Sequence, residues 1–283
     1  MKKCADRVLI TGASSGLGLE LARVFARHGH PLIITATVES ELAIVARELT
    51  NTFGAEVLFV AQNLLKPQAA AQLFSAIQAK RLRIGMLVNN AGIGHKGAFI
   101  RQSLSQQMEM IHLNIESVVA MTRLFLPDMI ARGEGRILNV ASTTGYLPAP
   151  LMAVYHASKA FVLSFSESVS TEIKETGVTV TTLCPGANDN DFFARADAIE
   201  SVAFQKANVL SPQTVAEEGY DAMMKGERVR MAGGLNKAMV FSSRFVPEFI
   251  LTKFAETFYS DARPREQQLE PGDTAQRAAA AGN

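Results

Sequence analysis

A serine, a tyrosine and a lysine within residues 141–161 are of the types that could exchange a proton with a carbonyl or alcohol oxygen. Tyr155 and Lys159 stand at positions i and i+4, so a helix would place both side chains on one face. A lysine ammonium beside a phenol favours the phenolate and lowers the pKa of the tyrosine from its ordinary value of about 10. Ser142 could hold a substrate oxygen within reach of the same proton. This combination suits the reduction of a carbonyl group or the reverse reaction.

The spacing of Tyr155 and Lys159 does not identify a site by itself. A chain with several tyrosines and many lysines can contain it by chance, usually as a solvated pair on a helix. Its interpretation depends on the elements that precede it, because those elements would have to build a site around it.

The composition indicates a globular protein without a polyanionic partner. The 283 residues are 48% hydrophobic and 19% charged, enough to bury the core of one large domain or two small ones. Lys and Arg number 28 against 27 for Asp and Glu, so no charge excess indicates nucleic acid or an anionic membrane surface. Cys4, Cys184 and the scattered histidines form no pattern of a disulfide framework or a metal site.

The N-terminus lacks the features of an export signal. Two lysines are followed by Asp6, Arg7 and then glycines before any apolar segment of sufficient length appears. No uninterrupted apolar run reaches the roughly 18 residues that would cross a bilayer. These observations predict a cytoplasmic protein with no membrane span.

A glycine-rich turn between a predicted strand, residues 7–11, and a predicted helix has the context of a phosphate-binding loop. Gly12 permits a tight turn, Gly16 lets the backbone approach a pyrophosphate, and Gly18 lets the helix pack on its strand. The helix N-terminus supplies free N–H donors and a partial positive charge. The alternative is an ordinary strand-to-helix turn, which small residues also favour. The residues that we expect to contact the phosphates are Gly12, Ser14, Ser15, Gly16, Leu17 and Gly18.

The end of the second predicted strand, residues 31–36, bears on which dinucleotide would bind. An acid there would favour NAD by hydrogen-bonding the ribose hydroxyls, whereas an arginine would accommodate the 2′-phosphate of NADP. The sequence offers neither and leaves Thr37 and Ser40 as polar candidates. The absence of an acid at Ala36 favours NADP(H), with NAD(H) as the alternative.

Asparagines follow the third and fourth predicted strands, residues 55–63 and 84–92. Asn63 could accept a hydrogen bond from an adenine amine or could stabilise a turn. Asn90, in the sequence NNAG, could face a cofactor or cross-link neighbouring loops. The repeated alternation of strand and helix predicts a doubly wound parallel sheet.

Two further polar residues lie where chemistry is expected. Asn114 interrupts the apolar face of a long predicted helix, residues 104–131, and needs a partner or a water there; a buried structural asparagine is the alternative. Ser142 lies at the carboxyl end of a fifth predicted strand, residues 136–142. Ligands of open α/β sheets bind outside the carboxyl ends of the strands.

In their order and spacing, several features of the chain resemble the short-chain dehydrogenase/reductase family. They are TGASSGLG at residues 11–18, NNAG at 89–92, Asn114, Ser142, YHASK at 155–159 and Pro185–Gly186, and they cover roughly residues 7–193. The resemblance implies an α/β fold, a Rossmann-type doubly wound parallel sheet of about seven strands with helices on both faces. It also implies a nicotinamide cofactor, a small-molecule carbonyl or alcohol substrate and no metal.

The resemblance also implies the roles of the site residues. Tyr155 would act as the acid or base, Ser142 would orient the carbonyl, and Lys159 would bind the nicotinamide ribose and lower the tyrosine pKa. Asn114 would hold a water in a proton relay. Beyond the glycine loop, the residues implied to contact the cofactor are Thr37, Asn63, Asn90, Ala91, Gly92, Tyr155, Lys159, Pro185, Gly186, Asn188 and Asn190.

The chain departs from the family pattern at the two ends of the cofactor site. Ser15 and Thr37 stand where NADP-dependent members often have a basic residue. Asn63 replaces the usual aspartate after the third strand, and Asn190 replaces the common threonine after Pro185–Gly186. None of these departures removes a catalytic group.

The last third of the chain is predicted to finish the sheet and to cover the site. A helix over residues 154–176 and a strand over 177–186 are followed by residues 188–210, which resemble the family's substrate lid. An ordinary surface helix is the alternative for that segment. Ser211 is a predicted N-cap of a helix that ends at Gly226, before a last strand. The apolar inner face of the lid would consist of Phe192, Phe193 and Phe204.

We predict one Rossmann-fold catalytic domain over residues 1–233, a helical extension packed on it over 234–259, and a disordered tail over 260–283. The phenylalanine-rich residues 237–259 could cover the substrate entrance, form an oligomer contact, or touch a membrane or a lipid-like substrate, and the first two are favoured. Pro247 and the charges within this segment exclude a membrane span.

The sequence therefore predicts an oxidoreductase that transfers a hydride between NAD(P)(H) and an apolar ketone or secondary alcohol, with Tyr155 as proton donor or acceptor. A catalytically silent Rossmann-fold protein that senses the cofactor or regulates a partner is the alternative. A homo-oligomer, either a dimer or a tetramer, is expected. The sequence does not determine the substrate or the direction of the reaction.

Overall fold

Short apolar segments form the strands of one sheet in the part of the chain that the structure describes, residues 6–186, 210–243 and 245–259. This structure is a computed structural model. The strands are β1 (Arg7–Thr11), β2 (Leu32–Ala36), β3 (Val57–Ala61), β4 (Ile84–Asn89), β5 (Gly135–Val140), β6 (Val178–Cys184) and β7 (Val229–Met231). The helices are α1 (Gly16–Arg27), α2 (Glu39–Phe53), α3 (Ala69–Ala79), α4 (Leu104–Ile111), α5 (Ser117–Arg132), α6 (Ala153–Glu172), α7 (Pro212–Lys225), α8 (Gly234–Ser243) and α9 (Glu248–Tyr259).

The sheet has the strand order β3-β2-β1-β4-β5-β6-β7, and every neighbouring pair is parallel. The chain begins in the middle of the sheet at β1, moves outward to β3 and then returns to lie beside β1 with β4. The connections after β1 and β4 therefore run in opposite directions and leave a crevice at the carboxyl ends of these strands. This order confirms the predicted doubly wound, Rossmann-type sheet.

Helices cover both faces of the sheet because its strands are apolar on both sides. Val8 and Ile10 point to one face and pack with residues of α1, α2 and α7, whereas Leu9 points to the other and packs with residues of α3 and α5. All three side chains are completely buried. The two apolar layers hold the sheet firmly and so fix the positions of its strand ends.

The helix predicted over residues 104–131 is divided in the structure. The helix α4 ends at Ile111, a π-helical turn covers His112–Glu116, and α5 begins at Ser117. The apolar pattern continues through the turn, so the periodicity of the sequence could not reveal it. Single π-turns inside helices occur often at functional sites, and this turn contains Asn114.

Helix ends agree with the sequence where a capping residue specifies them. The Ser211 side chain accepts a hydrogen bond from the Thr214 N–H, and α7 is followed by Gly226 at φ +67°, as predicted. The helix α3 begins only at Ala69, because Gln68 before it adopts a left-handed conformation with φ +61°. A left-handed residue cannot continue an α-helix.

The C-terminal segment forms two helices, α8 and α9, which are separated by Pro247 and its neighbours. On α9, Ala255 is 6% exposed while Phe249 is 74% exposed, so one side of this helix packs on the domain. Within the described ranges, none of the helices is both long enough and apolar enough to cross a bilayer.

Several predicted features lie outside the described residues. They are Asn188, Asn190, the phenylalanines 192, 193 and 204 with most of the lid segment 188–210, and the tail 260–283.

Candidate active site

The glycine loop is tied to the loop after β4 by Thr11 and Asn90. The Thr11 hydroxyl oxygen accepts hydrogen bonds from the backbone N–H groups of Asn90 and Ala91, both at 3.0 Å. The Asn90 side-chain amide donates to the carbonyl oxygens of Thr11 at 3.0 Å and Gly12 at 3.2 Å. Asn90 therefore cross-links the two loops, which is one of the two roles that the sequence allowed.

Glycine is required at two positions of the glycine loop because the loop packs closely on itself and on the loop after β4. Gly12 has φ +66°, and a β-carbon there would lie 3.0 Å from the Ala91 α-carbon. A β-carbon on Gly18 would overlap the Gly12 carbonyl oxygen and lie 2.5 Å from Asn90 Nδ2. The first N–H groups of α1 have no acceptor within the helix, so they are available to an anion. The glycine loop and the N-terminus of α1 therefore fit the pyrophosphate of a dinucleotide.

The residues that follow β2 and β3 make fewer contacts that indicate a binding site. Thr37 follows β2 and is exposed, and the first turn of α2 contains Glu39 and Glu41. The Asn63 side-chain oxygen accepts a hydrogen bond from the Leu65 N–H at 3.0 Å. Asn63 thus stabilises its own turn, which was the alternative to contact with adenine.

Ser142 begins a short 3₁₀ turn that joins the carboxyl ends of β5 and β6. Its hydroxyl accepts a hydrogen bond from the Thr144 N–H at 3.1 Å and donates to the Pro185 carbonyl oxygen at 3.3 Å. The Thr143 N–H donates to the same carbonyl at 2.8 Å. Ser142 and Pro185 are therefore held side by side at the edge of the crevice.

Tyr155 and Lys159 lie on α6 and face this turn. Both are buried, at 7% and 6% exposure, and Lys159 Nζ lies 5.8 Å from the centre of the Tyr155 ring. The Lys159 ammonium donates a hydrogen bond to the Val140 carbonyl oxygen at 3.0 Å, at the end of β5. The predicted i and i+4 placement on one helix is thus present in the structure.

Burial dominates the acidity of both groups. It raises the pKa of Tyr155 to about 12, and the nearby Ser142 and Thr144 hydroxyls oppose this rise. It lowers the pKa of Lys159 to about 8, with a smaller opposite effect from Cys184. The net direction for Tyr155 differs from the lowering that a neighbouring ammonium alone would cause, because the desolvation of the phenolate is the larger effect.

Asn114 connects the π-turn to the loop after β4 and to α6. Its side-chain oxygen accepts from the Ile93 N–H at 2.9 Å, and its amide donates to the Ile93 carbonyl at 2.9 Å and to the Ser158 hydroxyl at 3.0 Å. Ser158 in turn donates to the Tyr155 carbonyl at 2.7 Å. A β-carbon on Gly92 would lie 3.2 Å from Asn114 Oδ1 and 3.5 Å from Lys159 Nζ. The space beside Gly92 is therefore shared by Asn114 and Lys159.

Apolar side chains surround Tyr155 on the side away from these polar groups. The cluster brings together residues of α4, α6, α9 and the loops between them. Its buried members are Met110, Ala149, Met152, Tyr155 and Ala255, with Ile93, Leu151 and Val154 packed against them. The phenol thus lies between a polar turn and an apolar wall.

The structure brings most of the predicted site residues to one edge of the sheet, but not all of them to one place. Gly12, Asn90, Gly92, Ser142 and Tyr155 follow or face the ends of β1, β4 and β5, which are adjacent strands. The residues that sequence reasoning missed are polar groups that hold the site together: Thr11, Thr144 and Ser158. Thr11 could have been recognised as a polar residue that ends an apolar strand, whereas the other two carried no signal.

Comparisons with known proteins agree with this geometry. The profile of the family described as short chain dehydrogenase matches residues 6–200. Oxidoreductase UcpA of Escherichia coli (strain K12) is 35% identical over 218 residues, which are 77% of this chain and 80% of UcpA. The 17-beta-hydroxysteroid dehydrogenase type 3 of Rattus norvegicus is 34% identical over 187 residues, which are 65% of this chain and 60% of that protein.

A solved structure shows the same fold with a nucleotide bound. The short-chain dehydrogenase from Sphingobium yanoikuyae in complex with NADPH has a TM-score of 0.74 and 27% sequence identity, over 85% of this chain and 94% of that chain. Strands β1 to β6, the glycine loop and the Ser142–Tyr155–Lys159 edge lie in the part of the sequence that the family profile matches. This chain therefore belongs to the short-chain dehydrogenase family and is an NAD(P)-dependent oxidoreductase that acts on a small molecule.

Proposed function

We propose that this enzyme interconverts a ketone and a secondary alcohol on an apolar substrate, with NADP(H) as the hydride carrier and Tyr155 as the acid or base. The observation that supports this proposal is the position of Tyr155, whose ring belongs to an apolar cluster while the Ser142 and Thr144 hydroxyls lie near its phenol. A substrate that places its oxygen at the phenol would place its carbon skeleton against that cluster.

The nicotinamide, when bound, supplies or accepts the hydride, and the chain supplies the proton. In the direction of reduction, Tyr155 gives its phenolic proton to the carbonyl oxygen while Ser142 holds that oxygen by a hydrogen bond. Because the pKa of Tyr155 is about 12, the phenol is protonated at neutral pH and is ready to donate. Lys159, held by its hydrogen bond to the Val140 carbonyl, would bind the nicotinamide ribose.

Asn114 has a structural part in this mechanism. Its side chain holds Ile93 and Ser158 in place, and these contacts set the gap beside Gly92 and Lys159. We infer that a water bound in this gap connects Lys159 to solvent and restores the proton of Tyr155. Asn114 Oδ1 can accept two hydrogen bonds, so it can bind the Ile93 N–H and also hold this water.

The choice of NADP(H) follows from the end of β2. Ala36 and Thr37 provide no carboxylate to bind both hydroxyls of an adenosine ribose, which is the feature that selects NAD. Glu39 and Glu41 in the first turn of α2 act in the opposite direction, since they oppose a phosphate nearby. We give more weight to the strand end because it lies closest to the ribose in this fold. The NADPH complex of the Sphingobium yanoikuyae relative supports the same choice.

An apolar substrate agrees with both the cluster and one relative. The walls around Tyr155 consist of methionine, alanine and branched aliphatic residues, and such walls bind a hydrocarbon skeleton through burial rather than hydrogen bonds. The relative from Rattus norvegicus is a hydroxysteroid dehydrogenase. We propose that α9, through Ala255, closes this side of the substrate site as a C-terminal cover of the catalytic domain.

A homo-oligomer also forms part of the proposal. Leu104, Met108 and Ile111 lie at the i, i+4 and i+7 positions of α4 and are exposed, at 73%, 38% and 36%. An apolar stripe of this kind on a surface helix favours contact with another protein surface.

The test of the proposed chemistry is Tyr155→Phe, measured by NADPH oxidation against a panel of ketones that ranges from small polar compounds to steroid-sized ones. We expect the variant to lose about 10²–10⁴-fold in kcat, because it lacks the proton donor, while its affinity for NADPH stays within a few fold. Tyr220→Phe is the matched control, since Tyr220 is also largely buried but bonds to His30.

Two results would contradict the proposal. If Tyr155→Phe turned over as fast as the wild type, Tyr155 would not be the acid. If the wild type bound NADPH tightly and turned over no compound of the panel, a cofactor-sensing role would replace the enzymatic one.

A further inference from the structure

The hydroxyl of Thr144 is buried at the active site and has no hydrogen-bond partner among the described residues. Thr144 lies in the 3₁₀ turn Thr143–Tyr146, and its backbone N–H donates to Ser142 Oγ at 3.1 Å. The turn therefore fixes the backbone of Thr144, while its hydroxyl has no acceptor among the described residues. Buried hydroxyls normally find a partner, so this one calls for an explanation.

The hydroxyl of Ser142 differs because it already makes two hydrogen bonds. It donates to the Pro185 carbonyl at 3.3 Å and accepts from the Thr144 N–H. A substrate oxygen must compete with Pro185 for the Ser142 proton, whereas it would meet no competitor at Thr144. The Ser142 hydroxyl therefore already donates a hydrogen bond, whereas the Thr144 hydroxyl on the same turn does not.

The Thr144 hydroxyl is also close to the reacting phenol. It lies near enough to Tyr155 to favour the phenolate, although the geometry is not that of a regular hydrogen bond. A group that neighbours the phenol oxygen also neighbours any oxygen that exchanges a proton with it. Thr144 therefore faces the position where charge develops during the reaction.

We propose that Thr144 is a substrate-binding residue, whose hydroxyl donates a second hydrogen bond to the reacting oxygen beside Ser142. This inference rests on the proposed function. During reduction, the hydride forms the new C–H bond, the π electrons of the carbonyl move to its oxygen, and that oxygen takes the proton of Tyr155. Thr144 keeps its own proton throughout and only stabilises the growing negative charge.

Other buried threonine hydroxyls without a partner provide the comparison. In the described residues these are Thr35, Thr179, Thr181 and Thr182, all on β2 or β6. Thr179 pairs with Arg136, near the start of β5, so it lies at the end of the sheet opposite to Ser142. Its hydroxyl is chemically equivalent to that of Thr144 but is remote from the phenol.

The experiment compares Thr144→Val, Thr144→Ser and Thr179→Val with the wild type. The substrate is the ketone of the panel on which the wild type is most active. Because the bond strengthens as the oxygen gains charge, we expect Thr144→Val to lower kcat by about 10–100-fold with a smaller change in KM. Thr144→Ser retains the hydroxyl and should restore most of kcat, while Thr179→Val should stay within twofold of the wild type. Affinity for NADPH should be unchanged in all three variants.

A second measurement does not depend on turnover. In protein labelled with ¹³C at the phenolic carbon of tyrosine, the signal of Tyr155 is identified by its absence in Tyr155→Phe. We expect Thr144→Val to shift this signal and Thr179→Val to leave it in place.

The outcomes separate the two proposals. Wild-type kcat in Thr144→Val, or an unshifted Tyr155 signal, would overturn the assignment of Thr144. Absence of turnover by the wild type on every ketone would count against the proposed function, and the tyrosine signal alone would then show whether Thr144 acts on the phenol.

Discussion

The acidity of Tyr155 is decided by burial more than by charge. An adjacent lysine lowers the pKa of a phenol, but Tyr155 is buried against apolar side chains, the desolvation of its phenolate is the larger effect, and its pKa rises to about 12. The same burial lowers the pKa of Lys159 to about 8. Near that pH the ammonium is only partly charged, so it attracts the phenolate less. The hydroxyls of the Ser142 turn therefore matter more for the phenolate than the sequence suggested.

Removal of the Ser142 hydroxyl tests this balance. The nearby Ser142 hydroxyl lowers the pKa of Tyr155, so Ser142→Ala should raise it further. Alcohol oxidation needs the phenolate, so its rate should rise with pH, and the rising limb should move to higher pH in the variant. Ketone reduction needs the protonated phenol and should persist to higher pH. We expect a loss of about 10²-fold in kcat at neutral pH.

Profiles of kcat against pH for both directions are the measurement. A limb at the same pH in Ser142→Ala and the wild type would show that Ser142 acts only on the substrate and not on the phenol.

A chain of buried polar groups fixes β5 relative to α6. The Asn89 amide donates to Asn139 Oδ1 at 2.9 Å and to Thr122 Oγ1 at 3.2 Å, and the Asn139 amide donates to Ser166 Oγ at 2.8 Å. Ser142 follows β5, whereas Tyr155 and Lys159 lie on α6. The hydrogen bond between Asn139 and Ser166 therefore joins the two elements that carry the proposed catalytic groups.

Ser166→Ala should destabilise the protein through this chain. The substitution leaves the Asn139 amide buried without its acceptor, and an unpaired buried donor costs about 1–3 kcal/mol in the free energy of unfolding. Ser168→Ala is the matched control, because Ser168 lies on the same helix and is exposed. Urea unfolding of both variants measures the difference, and equal midpoints would contradict the structural role of this bond.

The elements that the sequence predicts well are those that a local pattern specifies. Apolar runs located β1 and β2, and Ser211 with Gly226 marked the ends of α7, because capping and strand patterns act over a few residues. The break between α4 and α5 was not predicted, because the apolar pattern continues through it and the partners of Asn114 in this turn, Ile93 and Ser158, belong to other elements. For the same reason the sequence left the role of Asn63 open.

At the scale of the whole molecule, the strand order brings distant parts of the chain to one edge. The adjacent strands β1, β4, β5 and β6 deliver the glycine loop, the Asn90 loop, the Ser142 turn and Pro185 in sequence. Ala255 of α9 packs in the apolar cluster that contains Tyr155 at this edge. In our proposal, the cofactor contacts β2 and β3 at its adenosine end, away from the residues of the proton chemistry. The residues proposed for catalysis and those proposed to select the cofactor therefore follow different strands. Substitutions that change cofactor preference should leave the proton chemistry intact.

Cofactor choice can be tested on the whole protein by its thermal stability. A ligand that binds only the folded chain stabilises it by about 2.7 kcal/mol at 100 times its Kd, which raises the Tm of a domain of this size by about 5–10 °C. We expect NADPH to raise Tm at a lower concentration than NADH.

Thr37→Asp introduces the carboxylate that binds the ribose hydroxyls, and the exposed Thr37 site accepts it without disturbing the core. This variant should therefore reverse the order of the two nucleotides. Thr52→Asp, the same change at an exposed position near the end of α2, should leave the order unchanged. An equal response of the wild type to NADH and NADPH would show that the end of β2 does not select the cofactor.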